Sequence, residues 1–308
     1  MKDASFLTIC MNPTIQKTLR FGRLAVDTVN RTGDYRMDAS GKGVNVTRVL
    51  TQLGKKCVHL THLGGPLRPL FLQLCAADGL SLEWVESGSP IRFCYTLIND
   101  ADNTVTELVE EAEAVGAGTG ERLTRAYAGM LPLFSTVIIS GAKAAGYSDA
   151  LVPDLVKKAK EAGLQVILDV RGGDLTGSLE YHADIIKPNL YEFAQTFAPG
   201  LISGNGIAAD EGTVKEQVKK AALGLVEKYG SRIVLTRGSR PVWAFDGDGF
   251  HEYAVETVRP VNTTGSGDAF TAGLAAGLAD GASFAEAIAR GARCGLLNAG
   301  LFKGGVIR

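Results

Sequence analysis

From residue 121 onward, short apolar runs alternate with longer amphipathic stretches, and that alternation leaves few folds open. Helical spacing over 121–131 leads to an apolar run at 137–140, and a second helical stretch, 149–162, leads to another at 165–170. Further strands are expected at 184–187 and 232–236, the latter after a helix opened by the capping pattern Thr213-Val214-Lys215-Glu216. Strands separated by helices of this length need crossovers, which makes them parallel. Upstream, the apolar runs at 6–10 and 57–61 fit the same scheme, with helices after Ser40 and near 68–77. Downstream, Asp246-Gly247-Asp248-Gly249 between two apolar runs reads as a hairpin, and Ser283-Phe284-Ala285-Glu286 opens a final helix. The fold class is therefore α/β, built on a mostly parallel sheet.

With 308 residues the chain has the length for one large α/β domain, 1–308. Two stretches, 13–39 and 91–109, interrupt the pattern: they alternate polar and apolar residues without a helical period, and the second turns at Asn99-Asp100-Ala101-Asp102. They are expected to pair as a small sheet, a flap over the strand ends where α/β proteins bind ligands. The exposed edges of such a flap invite pairing into a homodimer. The stretch 198–212 is long for a loop and is expected to be mobile.

A net charge of -1 at pH 7 lacks the basic footprint of a nucleic-acid partner. Cys10, Cys57, Cys75, Cys94 and Cys294 are odd in number and form no CxxC pair, which fits thiols in a reducing cytosol. Asn12-Pro13 breaks the chain before any leader-like apolar run, and no apolar window is long enough for a membrane span. A cytoplasmic location is the expectation.

Two glycine-rich helix entrances carry the chemistry. In Asn262-Thr263-Thr264-Gly265-Ser266-Gly267-Asp268-Ala269-Phe270, two glycines flank a serine, and Phe270, Leu274 and Leu278 then follow at helical spacing. The loop stands at a helix N-terminus, expected to begin at Asp268, where unpaired N–H groups and the macrodipole favour an anion. A carboxylate beside such a cradle suits phosphoryl transfer to an alcohol, because it accepts the hydroxyl proton while amides receive the arriving phosphate. The second entrance is Ser40-Gly41-Lys42-Gly43-Val44-Asn45-Val46-Thr47-Arg48, which runs into a helix ended by Gly54. Taken singly, each is also an ordinary tight turn, with Asp268 as a cap and Lys42 as a solvated lysine.

Together these motifs resemble the ribokinase-like (PfkB) family of sugar kinases, and most closely its hexose-phosphate branch, over nearly the whole chain. Gly41 to Arg48 is similar to the family's N-terminal signature, 262–273 to its C-terminal one, and Lys187-Pro188-Asn189-Leu190-Tyr191-Glu192 to its KPNxxE element. Asp169-Val170-Arg171-Gly172 resembles its DxSG segment, and 10–18 the NPAxDxT opening of the phosphosugar branch. The resemblance implies a three-layer α/β/α sandwich with a small β-sheet lid, and transfer of the γ-phosphoryl group of ATP, with Mg²⁺, to a hydroxyl of a sugar phosphate. It implies Asp268 as the base and the N–H groups of Gly265, Ser266 and Gly267 as the anion hole. Gln16, Gly41, Lys42, Asn45 and Arg92 would bind substrate, Lys42 and Arg92 gripping its phosphate. Lys187, Asn189, Thr236, Gly238 and Asn298 would bind the nucleotide, with Asn189 and Glu192 holding Mg²⁺ through water. Asn189 and Glu192 also read as a helix cap pair.

Departures from the family pattern bear on the substrate. Gln16 stands where the family has an aspartate, Ser40 replaces the first glycine of GGKG, and 140–146 departs from SGSLPxG. A glutamine both donates and accepts, so it changes the hydroxyl pattern preferred. The leading expectation is a kinase of fructose 1-phosphate. Tagatose 6-phosphate, an unphosphorylated sugar or a nucleoside are alternatives, as is a sugar-phosphate binder with little turnover. A dinucleotide-binding oxidoreductase is disfavoured, since no GxGxxG follows the first strand.

Overall fold

A computed structural model describes residues 5–204 and 206–308. The chain opens with β1 (Ser5–Cys10), buried throughout, then β2 (Thr14–Phe21), β3 (Tyr35–Ser40) and α1 (Lys42–Gln52). Next come β4 (Lys56–Leu63), α2 (Arg68–Ala77), β5 (Leu82–Glu86), β6 (Arg92–Asn99) and β7 (Thr104–Val109). The regular alternation follows: α3 (Thr119–Met130), β8 (Thr136–Ser140), α4 (Leu151–Glu161), β9 (Gln165–Asp169), α5 (Gly172–Ser178), β10 (Ile185–Ile186) and α6 (Leu190–Phe197). After the short pair β11 (Ile202–Ser203) and β12 (Gly206–Ile207) come α7 (Glu211–Tyr229), β13 (Arg232–Arg237), β14 (Arg240–Asp246) and β15 (Gly249–Tyr253). The chain closes with α8 (Ser266–Ala279) and α9 (Phe284–Ala299).

The central sheet is nine-stranded, in the order β15-β14-β13-β10-β9-β8-β1-β4-β5. Pairing is parallel from β13 to β5, and β14 runs antiparallel to both of its neighbours, β13 and β15. Successive side chains of a strand face opposite ways, and here each face is covered. Leu7, Ile9, Val137 and Ile139 pack into the cluster that includes Leu123 and Tyr127 of α3 and Val152 and Leu155 of α4. Phe6 and Ile138 point the other way, onto Val46 and Val49 of α1 and Ala269 and Phe270 of α8. Burial on both faces explains why these strands read as unbroken apolar runs. The result is the three-layer sandwich.

Helix α8 is the most enclosed of the outer elements, with every residue from Asp268 to Gly277 buried. It lies against α9 closely enough that a Cβ on Gly273 would sit 2.8 Å from the Arg290 carbonyl oxygen. That approach anchors the loop before α8 on a rigid pair.

The two interrupting stretches do pair. They form a four-stranded sheet, β3-β2-β6-β7, in which β2 and β6 run parallel with Gln16 opposite Cys94. Other expectations need correction. Helix α8 begins at Ser266, not Asp268, because Gly265 takes a left-handed φ of 82° and serves as its N-cap. The Thr213 capping box is absent: the Asp210 carboxylate lies three residues earlier and accepts the Thr213 N–H at 3.0 Å, so α7 already starts at Glu211. Much of 198–212 is ordered as a 3₁₀ turn, the β11–β12 pair and the start of α7, and residue 205 lies outside the described residues. Among the described residues no helix is long and apolar enough to cross a membrane.

Candidate active site

The carboxyl ends of the parallel strands, the N-termini of α1 and α8 and the underside of the small sheet enclose a cavity of about 500 Å³. Open α/β sheets bind ligands at such strand ends. The two glycine-rich entrances line the same space: Gly41, Lys42 and Asn45 from one, Gly265, Gly267 and Asp268 from the other.

Asp268 is buried in the first turn of α8, and its Oδ2 accepts a hydrogen bond from Asn45 Nδ2 at 2.8 Å. Burial pushes its carboxyl up to about 6, Lys42 opposes the rise and Asp169 adds to it. A carboxylate held near neutrality is poised as a general base. The cradle beside it differs from expectation in one member. The Ser266 N–H already donates to the Thr263 carbonyl at 3.1 Å, whereas those of Gly265, Gly267 and Asp268 have no acceptor among the described residues.

Asp169, the last residue of β9, is the hub of the cavity floor. Its Oδ2 pairs with Lys187 Nζ at 3.3 Å, and its Oδ1 with Lys42 Nζ at 3.4 Å. Burial works to raise the Asp169 carboxyl, but the Lys187 and Lys42 charges outweigh it and hold it below the usual carboxylate range. Lys42 also reaches Glu192 Oε1 at 3.1 Å. Desolvation works against its ammonium, yet Asp169, Glu192 and Asp268 hold its pKa above the ordinary lysine value. Lys42 is thus tied to the acidic floor of the cavity. Arg92 sits on the small-sheet wall, where its Nη1 donates to the Glu110 carbonyl at 2.7 Å and its buried Nε has no partner among the described residues.

Asn189 and Glu192 form a full capping box at α6, the Asn189 side chain accepting from the Glu192 N–H at 2.8 Å and Glu192 Oε2 from the Asn189 N–H at 3.0 Å. The cap reading of the pair is thus met, and both residues also line the cavity. Thr236 lines it too, and a neighbouring cavity of about 500 Å³ shares Asn189 and Thr236 and adds Gly238 and Tyr191. Gln16 lines the main cavity and donates Nε2 to Thr96 Oγ1 at 2.8 Å.

Asn298 is not brought to the wall of either cavity. It is fully buried, donating to the Thr264 carbonyl and Ser266 Oγ at 3.0 Å each and accepting from the Val306 N–H at 3.1 Å. Its amide braces the loop before α8 instead of facing a ligand. Conversely, the hub role of Asp169 was missed although its segment stood out, and Glu107 was missed entirely. Glu107 reaches from β7 across the cavity to accept from Thr264 Oγ1 at 2.8 Å. Only the register of the small sheet, with Glu107 opposite Thr96, reveals it.

The family model for pfkB family carbohydrate kinases matches residues 1–303. Among curated proteins, tagatose-6-phosphate kinase from Staphylococcus epidermidis is 26% identical over 295 residues, covering 95% of this chain and 91% of that protein. Among solved structures, the tetrameric inhibited form of phosphofructokinase-2 from Escherichia coli superposes with a TM-score of 0.83 at 20% identity, covering 96% of this chain and 94% of that one. A possible 1-phosphofructokinase from Thermotoga maritima gives 0.84 at 21%, covering 97% and 93%.

Proposed function

The chain belongs to the pfkB family of carbohydrate kinases, ATP-dependent phosphotransferases, and we propose that its acceptor is a hydroxyl of a phosphorylated ketohexose, fructose 1-phosphate first. One observation carries the reading: a buried carboxylate, Asp268, stands in the first turn of a helix in the same cavity as Arg92 and unpaired backbone N–H groups. In the proposed step the sugar hydroxyl oxygen attacks the γ-phosphorus, its proton passes to Asp268, and the bond between that phosphorus and the β–γ bridging oxygen breaks to release ADP. The N–H groups of Gly265 and Gly267 receive the charge that develops on the transferred group.

Arg92 holds the phosphate already on the substrate, with a guanidinium whose Nε is still free to donate. Gln16, Gly41 and Asn45 face the sugar, and Lys187, Asn189, Thr236 and Gly238 face the nucleotide. A hard cation fits beside Glu192 only through water. The Asn189 side-chain oxygen is taken by the cap, and each Glu192 oxygen is engaged by a donor but keeps acceptor capacity. When bound, Mg²⁺ would neutralise phosphate charge. The small sheet acts as the lid of this domain, and Glu107 is its contact to the loop before α8. Its outer strand β7 is an edge of the small sheet and exposes Leu108, a feature suited to pairing with a second copy of the chain.

A coupled ADP-release assay with ATP and Mg²⁺, run across phosphorylated and free hexoses and nucleosides, tests the reading. Preference for a free sugar or nucleoside would overturn it, and so would binding of sugar phosphates without turnover. Tagatose 6-phosphate is the second reading, favoured by the names of the curated relatives.

A further inference from the structure

We infer that Arg48 and the C-terminal turn at Gly304-Gly305 form a positioning clamp on Asn45, fixing which end of its amide faces Asp268. The inference rests on the proposed role of Asp268 as the base. Arg48 lies one turn along α1 from Asn45 and is 1% exposed. Each nitrogen of its guanidinium is engaged: Nε donates to Asp78 Oδ2 at 2.7 Å, Nη2 to the Ala39 carbonyl, and Nη1 to Asn45 Oδ1 at 2.9 Å. A guanidinium has donors and no acceptor. The Asn45 atom it meets is therefore the carbonyl oxygen, which turns the amide nitrogen to Asp268 Oδ2. Ser40 Oγ supplies a further donor to the same oxygen at 3.3 Å.

Gly305 presses on that amide from the C-terminal turn. Its φ is +68°, and a Cβ there would lie 2.5 Å from Asn45 Oδ1, so only glycine lets the turn lie flat against the side chain. The same turn backs the opposite entrance, since a Cβ on Gly265 would lie 2.4 Å from the Gly305 nitrogen. Lys303, just before it, pairs with Asp38 at 3.2 Å and with Asp78 at 2.5 Å. Asp78 thus ties Arg48 and the C-terminal turn to one carboxylate. Neither Arg48 nor Gly305 lines the cavity: Arg48 meets the base through Asn45, and Gly305 lies against both Asn45 and Gly265.

The charged and titratable groups around Asp268 are Lys42 on α1, Asp169 at the end of β9, Lys187 after β10 and Cys10 at the end of β1. None of them hydrogen-bonds Arg48. With the clamp in place, the Asn45 N–H stabilises the ionised base. Without it the amide can turn, and Oδ1 then faces the carboxylate and favours its protonated form.

The test compares full-length wild type with Arg48→Met and Gly305→Ala. Aspartate carboxyl ¹³C NMR titration is the readout, with the Asp268 signal assigned by its loss in Asp268→Asn. Both variants are expected to titrate Asp268 about one pH unit higher, a shift of the size a lost hydrogen bond to the charged form gives. The acid limb of kcat is expected to move with it, while KM for ATP stays within about twofold. A folded variant whose Asp268 titrates with the wild type overturns the inference. Should Arg48→Met fail to fold, with Asp78 and the Ala39 carbonyl left unpaired, Gly305→Ala decides alone. The titration needs no turnover, so a chain that phosphorylates no sugar would sink the proposed function without touching this result.

Discussion

Asn45 Nδ2 donates to Asp268 Oδ2 at 2.8 Å although 223 positions separate the two residues in the chain. One hydrogen bond thus joins the two glycine-rich helix entrances, and the carboxylate it holds stands where both helices point. Had Asp268 faced away from the first entrance, the proposed transfer would lack its base. Asp268→Asn keeps the shape and an acceptor oxygen but removes the basic site. Turnover is expected to fall by roughly 10²- to 10⁴-fold, the usual contribution of general base catalysis. Calorimetric ATP binding should stay near wild type. A variant keeping most of its kcat would show that another group takes the proton.

The elevated Asp268 carboxyl also has a signature in stability. Its folded-state value of about 6 lies above the ordinary aspartate value of 3.8, so between these pH values the folded protein binds the proton more tightly than the unfolded chain. Stability from this group is therefore highest below about pH 4 and declines as pH rises through about 6. At neutral pH the buried charge costs on the order of 2–3 kcal/mol, at about 1.4 kcal/mol per pH unit. Asp268→Asn should accordingly raise the urea midpoint at pH 7.5 and leave it little changed at pH 4. A midpoint lowered at neutral pH would mean that the carboxylate is a net stabiliser.

Much of this site was legible because its signals are local. The capping boxes at Asn189–Glu192 and Ser283–Glu286 are short-range patterns and each appears as read, while the buried strands appear where read with ends that differ by a residue or two. Asp268, Asn45 and Arg92 meet in one cavity because the order of the motifs along the chain encodes an α/β crossover scheme. What escaped notice depends on convergence from afar. Nothing near Asp169 announces that Lys42 and Lys187 will both close on it, and nothing near Gly305 shows that it will lie against Asn45. The buried hydrogen bonds of Asn298 to Thr264 and Ser266 are likewise hidden from the sequence, since those partners lie on another loop. Thr213 was a local error: Asp210, three residues earlier, offers a stronger cap.

Arg92 separates a phosphorylated acceptor from a free one. Its guanidinium lines the cavity and has a buried Nε without a partner, so a phosphate there would gain a charge-assisted donor that no protein group now uses. Arg92→Ala is expected to raise KM for the sugar phosphate roughly 10- to 100-fold, the equivalent of about 1.5–3 kcal/mol of charged hydrogen bonding. KM for ATP should not change. An equal loss with a free sugar would assign Arg92 to the lid framework instead of the substrate phosphate.

Lys187 and Asp169 are each only 2% exposed, and their contact at 3.3 Å is the most enclosed ion pair of the cavity floor. Replacing Lys187 by Met leaves the Asp169 carboxylate with the Thr271 and Ser140 hydroxyls and one cation, Lys42, whose side chain is 38% exposed and shared with Glu192. Removing one partner of a buried pair costs about 3–5 kcal/mol, mostly as the penalty of the charge left behind. Lys187→Met should therefore lose most of that amount in urea unfolding at pH 7.5. Adding Asp169→Asn should restore part of it, because the stranded charge is then gone. The pH dependence has a definite sign. Asp169 titrates below its unfolded value, so the stability it brings is present above the unfolded carboxyl pKa and is lost as pH falls through the folded one. The cost of Lys187→Met should thus shrink in acid. A cost that persists unchanged with Asp169→Asn would place the effect in lost packing of the lysine stem against Phe270, whose ring centre lies 6.0 Å from Nζ, and not in the charge.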